Sequence, residues 1–199
     1  MAHPVIVAAA LVAGGAALLW IARSRGEKGA PLIAKGKTLA LVGDSLGVGL
    51  KGPIGRLAKS GGVALRTSVE QSTRITQFAR SDWRIEPAVG ADVVLVVLGT
   101  NDAALVHPED EEDELELLVR KLAQGGSRVV WVEPPATDRL PRMQIVRDMI
   151  RGSAALSESD GIVLDSTTQK LDFAPDGIHL TAKGYAKWAD WIWQQLTET

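Results

Sequence analysis

Three short stretches of this chain carry side chains that could act together on a carbonyl: Gly43-Asp44-Ser45-Leu46, Gly99-Thr100-Asn101-Asp102 and Asp176-Gly177-Ile178-His179. A serine hydroxyl is a poor nucleophile until a base takes its proton, and an imidazole serves better as that base when a carboxylate fixes its tautomer. Of the three histidines, His3 falls in an apolar N-terminal stretch and His107 beside a proline. Only His179 has a carboxylate, Asp176, at a spacing that lets both side chains meet across a short turn. Asn101 adds an amide NH2 of the kind that can be aimed at a developing oxyanion. Each stretch alone has a plainer reading. Gly-Asp-Ser makes turns and caps, Asn-Asp makes an Asx-turn, and Thr181 can cap a helix beside an incidental histidine. In combination they supply a nucleophile, a donor and a carboxylate–imidazole pair.

Those residues need elements to hold them. Apolar runs at 38–42, 63–69, 92–98, 128–132 and 162–164 read as strands. Helical patterns fall between and after them, at about 47–59, 73–80, 109–124, 140–156 and 181–196. Asp92 to Leu98 is apolar on both faces, as a central parallel strand should be. The alternation predicts an α/β fold: a three-layer sandwich with a central, mostly parallel five-stranded sheet. In such sheets chemistry sits at the carboxyl ends of the strands, where Ser45 and Asn101 fall. The acid-rich start of the helix 109–124 suits the positive end of a helix dipole and reads as a solvated helix start rather than a cation site. Tyr185, Trp188, Ile192 and Leu196 recur at helical spacing and read as core.

The remaining composition bounds the setting. Residues 1–22 carry no charged side chain, and Arg23, Arg25 and Lys28 follow at once. A helix over residues 1–24 would nearly match a hydrocarbon core, so the segment reads as a membrane anchor, with a cleaved signal as the alternative. The flanking cations favour a cytoplasmic body, while the side of the membrane stays open. Residues 25–37, rich in Gly, Pro and Lys, read as a linker to a body at 38–199. A net charge of -2 offers no basic field for nucleic acid. The absence of cysteine excludes disulfides and thiolate chemistry. Nothing calls for a metal or organic cofactor, or indicates an oligomer.

From Leu39 to about Trp193 the sequence resembles the SGNH hydrolases, the GDSL esterases and lipases, a family with a flavodoxin-like sheet. GDSL at Gly43–Leu46 looks like that family's first block, GTND at Gly99–Asp102 its third and DGIHLT at Asp176–Thr181 its last. The resemblance implies Ser45 as nucleophile, His179 as base and Asp176 as its orienter. It also implies an oxyanion hole built from the Ser45 N–H and the Asn101 amide, with Asp102 bracing its loop. The expected reaction is hydrolysis of a carboxylic ester or thioester through an acyl-serine, on short acyl groups such as acetyl on glycans, or on lysolipid-type esters. One block departs. Where the family supplies a glycine N–H to the hole, this chain has Val69-Glu70-Gln71-Ser72-Thr73-Arg74, so Ser72, or failing it Gln71, would have to serve. That departure keeps open a catalytically degenerate scaffold acting as a membrane-tethered binding or structural protein, such as a virion or envelope component. A third reading, a nucleotide-binding oxidoreductase, rests on Gly43, Gly47 and Gly49 after a strand. It lacks the Tyr-xxx-Lys pair it needs, since Ala189 stands four residues after Tyr185.

Overall fold

The structure, a computed structural model, describes residues 30–198. Five strands form its sheet: β1 (Thr38–Gly43), β2 (Ala64–Val69), β3 (Val93–Val97), β4 (Arg128–Val132) and β5 (Ile162–Leu164). They lie in the order β2-β1-β3-β4-β5, and every pairing is parallel. The expected sheet is therefore present, and it is wholly rather than mostly parallel. Helices fill the crossovers, namely α1 (Ser45–Ser60), α2 (Ile75–Ala79), α3 (Asp82–Ile85), α4 (Glu112–Ala123), α5 (Met143–Gly152) and α6 (Ala154–Glu158), and α7 (Ala182–Thr197) follows the last strand.

The two-residue period of a strand sends alternate side chains to opposite layers. Ala40 and Val42 of β1, Val94 and Val96 of β3, and Val129 and Trp131 of β4 meet Phe78, Leu118, Val119 and Ile150 on one side. Leu39 and Leu41, Val93 and Leu95, and Val130 and Val132 meet Leu50, Ile54, Trp188 and Ile192 on the other. Both buried tryptophans find acceptors for their indole N–H: Trp131 donates to Leu98 O at 3.3 Å and Trp188 to Ser166 Oγ at 2.9 Å. From the predicted stripe, Trp188, Ile192 and Leu196 are fully buried, and the Tyr185 ring lies so close to Gly49 that a Cβ there would stand 2.1 Å from it.

Three expectations are corrected. The single helix expected over 140–156 is two, because Ser153 takes ψ 119 between them and caps α6 through the Leu156 N–H. The acidic run before and within α4 is not merely solvated. Glu111 is 8% exposed and accepts from the Thr76 N–H at 3.1 Å, Glu114 accepts from Arg80 Nε at 2.9 Å, and Glu116 accepts from the Ala155 N–H at 2.8 Å. These acids fasten α4 to α2 and α6. Finally, residues 30–37 lie against the body rather than apart from it: Ile33 is 2% exposed and its N–H donates to Leu196 O at 3.0 Å. Residues 1–24, expected to form an apolar anchor, lie outside the described residues. Among the described residues no helix is long and apolar enough to cross a membrane.

Sequential strands β1 and β2 wind one way from the middle of the sheet, and β3, β4 and β5 wind the other. The carboxyl ends of β1 and β3 therefore flank the point where the winding reverses, which is where a crevice opens in a doubly wound sheet.

Candidate active site

Ser45 opens α1 two residues beyond a glycine, Gly43, that permits no side chain. A Cβ on Gly43 would stand 2.8 Å from Val97 O and 3.0 Å from the Gly47 Cα, so β1, β3 and α1 converge on a backbone-only contact. Asp44 caps the helix, its Oδ1 accepting from the Leu46 N–H at 2.9 Å. Ser45, as the first residue of the helix, has an N–H with no intrahelical acceptor, at the positive end of the helix dipole.

The last of the three stretches folds into a tight turn. Asp176 Oδ1 accepts from the N–H groups of both Ile178 and His179 at 2.9 Å. Gly177 at the turn has φ +70, a conformation that glycine adopts without strain, and the Arg139 side chain lies over it. Leaving His179, the chain pairs back on itself, Ala174 N–H donating to His179 O at 2.8 Å, and enters α7 through the Thr181 cap. The turn aims the imidazole in both directions. His179 Nδ1 lies 2.7 Å from Asp176 Oδ2, and His179 Nε2 lies 2.9 Å from Ser45 Oγ, across 134 residues of sequence. With Nδ1–H donating to the carboxylate, Nε2 is left as acceptor for the serine hydroxyl proton. The imidazole beside it and the two backbone N–H groups hold the Asp176 carboxyl down to about 2, so it stays an anion. The site is open: the His179 and Asp176 side chains are 42% and 49% exposed.

Asn101 follows β3 and turns its amide toward the loop after β2. Its Nδ2 donates to Thr73 O at 2.8 Å. A primary amide has two N–H bonds, so anchoring one fixes the direction of the other. The loop it holds contains Ser72, whose φ of 59 is the left-handed conformation that favours glycine. Among the described residues neither Gln71 nor Ser72 makes a hydrogen bond, so the Ser72 N–H is available to a ligand. Ser45, His179 and Asp176 thus meet in one hydrogen-bonded chain, with Asn101 and Ser72 on the flanking loops. His107 is elsewhere, exposed and 3.1 Å from Glu109, and His3 lies outside the described residues.

Asp102 was expected to brace its loop, and it does so through the Ile75 N–H; sequence reasoning missed the burial of Asp44 and Asp102 and the part played by Thr137. Asp44 and Asp102 are fully buried, each with one oxygen, Oδ2, lacking a hydrogen-bonded partner. Asp102 Oδ1 accepts from the Ile75 N–H at 3.1 Å and so ties the Asn101 loop to the start of α2. Burial pushes the Asp44 carboxyl up to about 6, against the Leu46 N–H bond that lowers it. Burial likewise pushes Asp102 up to about 7, with the Glu111 and Asp44 charges adding to the rise. Thr137, in the loop after β4, donates from Oγ1 to Gly177 O at 2.5 Å and steadies the Asp176–His179 turn from the side. Its only sequence signal is its place beyond a strand's carboxyl end.

Gly43, Gly47 and Gly49, the basis of the nucleotide reading, are used up in packing. Cβ atoms there would meet Val97 O, the Val69 side chain at 3.1 Å and the Tyr185 ring, respectively.

Comparison with known proteins agrees with this fold. Among solved structures, the chain is similar to an alpha/beta hydrolase enzyme from the metagenome of Lake Arreo, Spain, at 17% identity, with 83% of this chain and 99% of that one covered and a TM-score of 0.64. It is similar to the psychrotrophic esterase EstA from a Pseudoalteromonas species at 16% identity, covering 80% and 96% of the two chains with a TM-score of 0.64. It is similar to the acetylxylan esterase Axe2 from Geobacillus stearothermophilus at 16% identity, covering 82% and 95% with a TM-score of 0.62. At such identities these likenesses speak for the fold. No curated protein sequence matches. The profile of one family does match, over residues 41–187, a span that starts within β1 and contains the carboxyl ends of all five strands and the residues of the site, and by it the chain belongs to the GDSL-like Lipase/Acylhydrolase family.

Proposed function

We propose that this enzyme hydrolyses carboxylic esters of small acyl groups, acetyl above all, through an acyl-Ser45 intermediate. The observation that carries the reading is the continuous chain Ser45 Oγ–His179 Nε2, His179 Nδ1–Asp176 Oδ2, at 2.9 and 2.7 Å, beside a free helix N-terminus. In the first step Ser45 Oγ bonds to the carbonyl carbon while its proton passes to His179 Nε2. The carbonyl oxygen becomes an oxyanion, held by the N–H groups of Ser45 and Ser72 and the free N–H of Asn101. Collapse expels the alcohol, which takes the proton back from His179. Water then attacks the acyl-serine with His179 as base again, releasing the carboxylic acid and restoring the serine.

The substrate class rests on two supports. The half-exposed imidazole leaves space for a bulky alcohol, such as a sugar in a polymer, to approach. One structural relative, Axe2, is an acetylxylan esterase, whose substrate is of that kind. Ser72 takes the left-handed conformation that glycine favours and still offers a backbone N–H, which favours an active site over a degenerate scaffold. The apolar stretch 1–24 enters the proposal as a membrane anchor, to be checked by carbonate extraction of the full chain from membranes.

Two measurements test the reading together. The full chain should hydrolyse p-nitrophenyl acetate, and an alkyl fluorophosphonate should label Ser45 and stop the reaction. Equal rates for the intact protein and Ser45→Ala would end the proposal. Acetylated xylan and a lysophospholipid, offered in parallel, separate the glycan from the lipid substrate.

A further inference from the structure

The loop after β2 is the one part of the site where the sequence lacks the expected glycine, and its construction says what the replacement does. The loop is pinned at both ends. Glu70 N–H donates to Gly43 O at 3.0 Å, one residue before the Asp44–Ser45 pair. Thr73 Oγ1 donates to Glu70 O at 2.8 Å, Thr73 O is held by Asn101, and Arg74 N–H is held by Gln77 Oε1 at 2.8 Å. Arg84 Nε clamps the Glu70 carboxylate from outside at 2.9 Å. Between these ties Gln71 and Ser72 are exposed and bond to nothing. Ser72 keeps φ 59 because both flanks are fixed, not because serine prefers that conformation.

We infer that Ser72 sets the size of the acyl group: its hydroxymethyl group narrows the space beside the scissile carbonyl and confines the site to acetyl-sized acyl chains. The inference rests on the ester-hydrolase reading above. An N–H that donates to an oxyanion at about 2.9 Å carries its own Cβ within roughly 5.5 Å of that oxygen, from bond lengths alone. A glycine would place only hydrogen there. An acyl chain starts one bond from the carbonyl carbon, so a chain that leaves the carbonyl on the side of this loop meets the Ser72 side chain within its first methylenes. The loop cannot step aside to admit them, because moving Ser72 outward pulls Thr73 O off Asn101 and loses the orientation of the Asn101 amide.

The experiment compares kcat/KM for p-nitrophenyl acetate, butanoate and octanoate in the full chain, Ser72→Gly and Ser72→Ala, with Ser45→Ala as the blank. Glycine relieves the left-handed conformation, so folding of Ser72→Gly is not at risk, and near-ultraviolet circular dichroism checks it. The wild type should prefer acetate strongly. Ser72→Gly should raise the octanoate-to-acetate ratio by at least about tenfold, the range that methylene-sized changes in a pocket produce. Ser72→Ala, which keeps Cβ, should move that ratio less than about threefold. An unchanged ratio in Ser72→Gly, or a wild type that takes octanoate as readily as acetate, overturns the inference while leaving the hydrolase intact. Rates no higher than those of Ser45→Ala for every ester overturn the hydrolase reading itself.

Discussion

Asp176 uses its two oxygens for separate tasks, one holding the turn through two backbone N–H groups and the other holding the imidazole. Asp176→Asn should separate them. An amide oxygen can still accept from Ile178 and His179, but an NH2 facing Nδ1 favours the tautomer with the proton on Nε2, where the base must be bare. The expected outcome is a folded protein with the thermal midpoint nearly unchanged and kcat lower by about 10³–10⁴. Stopped-assay kinetics beside a melt would show it. Asn101→Ala should behave differently. It removes an oxyanion donor, costing about 10²–10³ in kcat, and leaves Thr73 O without its partner, costing about 1 kcal/mol of stability. Fluorophosphonate should still find Ser45. A variant that loses stability without losing turnover would assign Asn101 to the loop alone.

At the level of elements, two acids under the site act through the loops they tie. Asp44 caps α1 and Asp102 holds the start of α2, and burial raises both, to about 6 and about 7, from an ordinary value of 3.8. The unfolded chain sheds these protons near its ordinary carboxylate range, whereas the folded chain keeps them longer. The folded state therefore binds more protons between about pH 4 and about pH 7, and stability must fall as pH rises through that window. Each group contributes a slope of at most about 1.4 kcal/mol per pH unit. Asp176, with its carboxyl lowered to about 2, acts in the opposite sense and only in acid, below that window. Asp102→Asn keeps an acceptor for the Ile75 N–H and removes one titration, so its midpoint should fall less than the wild type's between about pH 5 and pH 8. Parallel slopes would clear Asp102 of the effect. The strands were legible in the sequence because runs such as Val93–Val97 are apolar on both faces; Ser45 and Asn101 were legible because they follow strand ends, and Asp176 and His179 because their spacing lets them meet across one turn. The break at Ser153 was not, since its cap is a single rotation of ψ within an otherwise helical pattern. The role of Glu111 was not, because its partner Thr76 stands 35 residues away and only packing brings them together. The same holds for Thr137 and Gly177, 40 residues apart.

On the scale of the whole molecule, the body begins before β1. Ile33 is buried among Leu39, Leu196 and their neighbours, at the pole where the strands start. Ile33→Ala should cost about 2–3 kcal/mol, in the range for truncating a buried isoleucine, and lower the thermal midpoint by several degrees while kcat stays as it was. A change in kcat would mean that the two poles are coupled. The helix α7 measures the distance between them. It starts at the cap next to His179 and runs 16 residues to Thr197, roughly 24 Å, before its last turn receives the Ile33 N–H. Residues 30–33 therefore lie at the pole opposite the catalytic mouth, so whatever the domain touches there leaves the mouth unobstructed for a bulky substrate.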